Sequence, residues 1–72
     1  MNFGMQLRTM RAIRNVSQRE LSARVGMDRA LLIAVERGKV TPNAILVERL
    51  HVALQWPVGA DLAFSILDNG HH

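Results

Sequence analysis

The chain has 72 residues, no cysteine and a formal net charge of +3. We therefore expect one small domain over residues 1–72, with no disulfide framework and no thiolate metal site. No apolar run approaches the ~18 residues needed to span a membrane, and no basic segment followed by an apolar run marks a secretion signal at the N-terminus. These features predict a protein of the reducing cytoplasm. The hydrophobic fraction of 49% is high for so small a chain and suggests an additional buried interface.

A first helix is predicted over residues 4–14. The residues that share its inward face at helical spacing are Phe3, Leu7, Met10 and Arg11. An unpaired charge on an inward face is costly. Arg11 is therefore expected to have an acidic partner.

Two further helix signals follow each other without a linker. Ser17 and Glu20 have the spacing of a capping box, and Gly26 suits the left-handed residue that closes a helix. Asp28 is predicted to be the N-cap of the next helix, which ends at Gly38. The inward positions are Leu21, Val25, Leu32 and Val35. Two short helices joined by a tight glycine turn are typical of a helix-turn-helix motif.

Taken together, these features make the chain resemble the XRE family, the helix-turn-helix proteins of the lambdoid phage repressor and Cro type, over residues 4–67. The matching residues are Arg11, Ser17, Gln18, Glu20, Leu21, Gly26, Glu36, Arg37, Gly38 and Pro42. The resemblance implies an all-α, five-helix, lambda-repressor-like domain that binds double-stranded DNA as a homodimer and regulates transcription. It also implies a partly buried ion pair between Arg11 and Glu36.

The second helix of the motif, over residues 28–37, is expected to lie in the major groove. Arg29 can donate two hydrogen bonds to guanine O6 and N7; its alternative roles are a solvated residue or a partner for Asp28. The resemblance implies that Gln18 contacts a phosphate and braces this helix. The other residues suited to phosphate contacts are Arg37, Lys39 and Thr41.

The outward positions of the recognition helix depart from the family's pattern, in which they are usually polar. Here they are Ala30, Leu31, Ile33 and Ala34. Apolar groups can contact thymine methyls, so Ala30, Leu31 and Ile33 are predicted DNA contacts. An exposed apolar patch is, however, more typical of a protein contact. A second hypothesis is therefore an interaction module of an antitoxin-like or adaptor type.

Charge is distributed unevenly along the chain. Residues 1–39 carry eight basic side chains against three acidic ones, a net +5, whereas residues 40–72 carry one basic against three acidic, a net −2. The positive part coincides with the helix-turn-helix motif, where basic side chains can bind phosphates and release counterions. Charge alone does not exclude the alternative that these basic side chains are only solvated and bind no partner.

A fourth helix is predicted to begin at Thr41–Pro42 and to reach Leu54, and a fifth to cover residues 58–67. The fifth is apolar on two sides and so needs two burial partners, the second being another copy of the chain or the N-terminal residues. The predicted dimer interface comprises Ile45, Val52, Trp56, Phe64 and Leu67. Residues 68–72 are expected to form a frayed tail, in which His71 and His72 are native or a tag remnant.

No catalytic, metal or cofactor site is predicted. The serines lie outside any nucleophile-elbow turn, no histidine has a carboxylate or cysteine at metal-ligand spacing, and no glycine loop could cradle a phosphate. His51 is interpreted as a packing or surface residue. The sequence does not choose among phage repression, control of a restriction-modification operon and antitoxin autoregulation.

Overall fold

The computed structural model describes residues 2–56, and they form four helices without any strand. The helices are α1 (Phe3–Ile13), α2 (Gln18–Val25), α3 (Arg29–Glu36) and α4 (Ala44–Ala53). The predicted all-α class is confirmed for this part of the chain. The predicted fifth helix over 58–67 lies outside the described residues.

The hydrophobic core joins all four helices. Its buried members among residues 2–56 are Leu7, Met10, Val16, Leu21, Val25, Leu32, Val35, Leu50 and Leu54. α2 packs against both α3 and α4, and α1 packs against α3. Every inward position predicted in α2 and α3 is buried, so the apolar spacing of the helix-turn-helix segment predicts its packing correctly.

Side-chain caps begin three of the helices. At α2 the predicted capping box is confirmed: Ser17 Oγ accepts a bond of 3.0 Å from the Glu20 amide, and the Ser17 amide donates to Glu20 Oε1 at 3.3 Å. Asn2 Oδ1 accepts from the Met5 amide to begin α1. These caps use amides that have no partner inside a helix.

Two predicted N-caps need correction. Asp28 occupies the N-cap position of α3, but its side chain makes no capping hydrogen bond. Thr41 does not cap α4, because Asn43 does so two residues later, with its Oδ1 accepting from the Leu46 amide at 2.8 Å. Asparagine is the stronger N-cap of the two. Pro42 therefore precedes α4 rather than opening it.

Three helices end in a pair of backbone bonds around a left-handed residue. That residue is Asn15 after α1, Gly38 after α3 and Gln55 after α4, with φ of 54°, 74° and 50°. After α3, for example, the Gly38 amide donates to Val35 O and the Lys39 amide donates to Ala34 O. This arrangement is the Schellman motif. α2 instead ends at Gly26, whose φ of 73° confirms the predicted left-handed glycine.

Arg14 ties the end of α1 to the end of α4. Its Nε donates to Leu54 O at 2.9 Å and its Nη2 donates to Gln55 O at 2.8 Å. Carbonyls in the last turn of a helix have no partner within the helix, and a cation is favoured there. Local sequence patterns do not predict this contact, because it joins residues 40 positions apart.

Trp56 does not lie on the exposed face of α4 with Ile45 and Val52, the residues with which it was predicted to form the dimer interface. α4 ends three residues before it, and the left-handed residue after α4 turns the chain toward α1. Trp56 stacks on Phe3, with ring centroids 5.8 Å apart and an interplanar angle of 1°. The ring centroids of Trp56 and His51 are 4.7 Å apart. This contact confirms a packing role for His51. Ile45 and Val52 remain 65% and 73% exposed.

Candidate nucleic-acid interface

The carboxylate of Glu36 is the point at which three helices meet. Glu36 as a whole residue is 5% exposed. Its carboxylate accepts hydrogen bonds from Arg11 Nε at 2.8 Å, Arg11 Nη2 at 3.2 Å and Gln18 Nε2 at 3.1 Å. The ion pair expected between Arg11 and Glu36 is present, and its two-point geometry is the stronger form of such a pair. α1, α2 and α3 are thereby held in one orientation.

Gln18 lies at the first position of α2, and its side chain reaches α3. One amide proton is used in the bond to Glu36, which is the bracing role that the family resemblance implied. A carboxamide carries two such protons. The second remains available for an external acceptor next to the surface of α3.

Two clefts open on either side of Gln18, and arginines line both. Arg8, Ile33 and Arg37 line a cleft of about 240 Å³, together with the Arg11–Glu36 pair. A second cleft of about 510 Å³ is lined mainly by α2 and the start of α3. Its lining residues are Arg11, Ser17, Gln18, Arg19 and Arg29. The fold therefore gathers five of the eight basic residues of residues 1–39 around α2 and α3.

Arg8 was missed as a site residue. In the sequence it contributes only to the charge of the first half, and no motif marks it. Its spacing from Arg11, three residues along the same helix, was the available signal, since such residues are neighbours on a helix surface. The structure brings Arg8 and Arg37 to the same cleft although 29 positions separate them in the chain.

The face of α3 opposite the core is apolar between two arginines. Arg29, Ala30 and Arg37 are exposed and Leu31 is 37% exposed, whereas Ile33 and Ala34 are partly exposed. Within residues 2–56 no ion pair or hydrogen bond joins Arg29 to Asp28. Ala30 and Ala34 lie one turn apart on the side of the helix that faces away from the core.

The remaining predicted contacts follow α3 along the chain. Arg37 is the C-cap of the helix, and Lys39 lies just after the Schellman glycine; both are exposed. Thr41 is also exposed, but it lies in a separate cleft beside the start of α1, which it shares with Phe3 and Pro42. Thr41 thus lies apart from the arginine-lined clefts, on the connection between α3 and α4.

Comparison with known proteins identifies the family. A family model described as a helix-turn-helix domain matches residues 2–63, most of the chain. The chain belongs to this helix-turn-helix domain family. In this helix-turn-helix domain α2 and α3 are the two helices that give the family its name. No curated protein matches the chain.

Two negative findings apply to the described part of this helix-turn-helix domain. No helix between residues 2 and 56 is long and apolar enough to cross a membrane. Over the same residues, no group of three or more histidine, cysteine or acidic side chains is arranged to hold a metal ion.

Proposed function

We propose that this helix-turn-helix domain is a cytoplasmic, non-enzymatic regulator of transcription of the XRE type, which binds double-stranded DNA with α3 in the major groove. One observation carries the proposal. The exposed face of α3 is bordered by arginine-lined clefts on the side of α2, where a DNA backbone would run. A helix presented in this way suits a major groove, because phosphates flank the groove on both sides.

Contacts to the DNA backbone are assigned to residues at both ends of the helix-turn-helix motif. The second amide proton of Gln18 is not used in the bond to Glu36 and suits a phosphate oxygen. Residues assigned to phosphates with it are Arg37, Lys39 and Thr41, and the clefts add Arg8 and Arg19. Contacts of this kind set the register of a protein on DNA without reading its sequence.

Base contacts are assigned to the exposed face of α3. Arg29 stands at the first position of the helix, where a recognition helix approaches base edges, and its guanidinium can donate to both O6 and N7 of guanine. Ala30, Leu31 and Ile33 offer only methyl and methylene groups. Their favoured contact in the major groove is the thymine methyl.

The proposed regulator binds as a two-fold dimer through α4 and residues that follow it. Ile45 and Val52 are exposed beside an apolar groove of about 670 Å³ between α2 and α4. Phe64 and Leu67 are assigned to the same interface; both lie outside the described residues. A dimer formed on this side leaves two copies of α3 free to enter successive major grooves about 34 Å apart.

A second candidate function is a protein-interaction module of an antitoxin-like or adaptor type. The observation that favours it is the apolar outer face of α3, since exposed apolar patches commonly bind other proteins. The arginines around that face favour DNA instead, because a protein partner would need matching acidic groups to neutralise them.

The test is a salt titration of binding to a random duplex by fluorescence anisotropy. We expect measurable binding that weakens as salt rises, with a log–log slope of about −0.9 for each phosphate neutralised. Arg37→Gln should reduce the magnitude of the slope by about one unit for each bound protomer, because each protomer loses one phosphate contact. Arg24→Gln is the matched control, because Arg24 lies outside both arginine-lined clefts and, among residues 2–56, forms its ion pair with Glu20 at 3.8 Å. Arg24 also borders the groove assigned to the dimer, so sedimentation should first show that this variant keeps the oligomeric state of the parent. Binding that vanishes at about 0.15 M salt, with no preferred sequence, would favour the interaction module.

A further inference from the structure

We infer that the outer face of α3 recognises the C5 methyl group of pyrimidines, so that 5-methylcytosine can stand in for thymine where this face meets the DNA. The inference rests on the proposed function. It goes further by specifying which chemical group of the base is read and which modified base is accepted.

The shape of α3 supports close contact with the floor of a groove. Between the two arginines, the side facing away from the core carries Ala30, which is exposed, and Ala34, which is partly exposed. They lie one turn apart, and neither side chain extends beyond Cβ. Leu31 and Ile33 stand on opposite sides of these alanines with larger apolar groups. A methyl group in the groove would therefore meet a shallow apolar surface with raised edges.

The chemistry of this surface limits what it can distinguish. In the major groove thymine offers O4 and a C5 methyl, whereas cytosine offers an N4 amino group and carries no methyl. Alanine, leucine and isoleucine side chains have neither donors nor acceptors, so they make no hydrogen bond to O4 or N4. The C5 methyl is the feature to which they can respond, and 5-methylcytosine carries that methyl at the same ring position.

The arginines around the face favour DNA as its partner. Arg29 and Arg37 are exposed at the two ends of α3, and Arg8 shares a cleft with Ile33. The apolar face of α3 can contact the methyl groups on the floor of the major groove. The cations at its ends and along one side can bind the phosphates that border the groove. An apolar protein surface would leave these cations without partners.

The experiment uses the full chain and its preferred duplex, selected from a random library. Each thymine of that duplex is replaced in turn by deoxyuridine, which lacks only the methyl. Burial of one methyl corresponds to a factor of about four in affinity, so we expect about a fourfold loss at the contacted positions. Where a contacted T·A pair is changed to C·G, methylation of cytosine C5 should recover a similar factor.

Matched variants assign the effect to α3. Leu31→Ser and Ile33→Ser should bring the thymine-to-deoxyuridine affinity ratio close to one, with Ala34→Ser as a smaller change if either fails to fold. Ile13→Ser should leave the ratio unchanged, since Ile13 is 61% exposed at the end of α1 and outside this surface. Equal affinity for thymine and deoxyuridine at every position would overturn the inference while leaving DNA binding intact. A library that yields no bound duplex would overturn the proposed function, and the inference with it.

Discussion

Arg11 donates two hydrogen bonds to the Glu36 carboxylate, from Nε at 2.8 Å and from Nη2 at 3.2 Å, although the two residues lie 25 positions apart in the sequence. The Glu36 side chain is 3% exposed and that of Arg11 is 22% exposed. Arg11→Met should therefore leave a buried carboxylate with only Gln18 as donor, at a cost of about 3 kcal/mol of unfolding free energy. Glu36→Gln should cost less, because Arg11 can turn toward water. Urea unfolding followed by circular dichroism measures both values.

A double-mutant cycle is the control for this pair. The variant that carries both Arg11→Met and Glu36→Gln should lose less stability than the sum of the two single changes, since contacting residues couple. In a domain of this size a loss of about 3 kcal/mol is a large part of the total stability. Strictly additive losses would show that the two side chains do not interact in solution.

Gly4 lies where α1 closely approaches the backbone at the end of α3. A Cβ built on Gly4 would lie 2.7 Å from Val35 O and nearer still to Glu36 O. Gly4→Ala should therefore push the helices apart and cost about 1–3 kcal/mol, the range for overpacking. Met5→Ala is the neighbouring control, since Met5 is 49% exposed. A Gly4→Ala protein as stable as the parent in thermal unfolding would contradict this close contact.

The proposed dimer gives a prediction about Val52. This valine is 73% exposed on α4 beside the apolar groove. The parent should sediment as a dimer at about 50 µM, a concentration suited to a micromolar interface, and Val52→Glu should sediment as a folded monomer. Ile13→Glu, at an apolar position on α1 that is 61% exposed, should remain dimeric. A parent chain that sediments only as a monomer would count against the interface.

Much of the described fold could be predicted from local signals in the sequence. The capping box at Ser17 and the turn at Gly26 act within a few residues, and local hydrogen bonds and backbone sterics determine them. Apolar spacing alone also predicts the burial of Leu21 and Leu32. Local signals compete where two good caps lie close together, which is why Asn43 and not Thr41 begins α4.

Contacts between distant segments were harder to predict. The Arg11–Glu36 pair was expected only through the family resemblance, and the bonds from Arg14 to the end of α4 were not expected at all. The clustering of Arg8 with Arg37 depends on how α1 packs against α3. Periodicity gives the face of a helix on which a residue lies but not the residue that faces it across the fold.

The most direct test of DNA reading by α3 compares Arg29→Ala with Lys39→Ala, using anisotropy on a preferred and a random duplex. Both residues are exposed, so both variants should stay folded by circular dichroism. Arg29→Ala should cost about 1–3 kcal/mol on the preferred duplex and far less on the random one. Lys39→Ala should weaken binding to both similarly and reduce the magnitude of the salt slope by about one unit for each bound protomer. A folded Arg29→Ala protein that discriminates among DNA sequences as well as the parent would contradict base reading by α3.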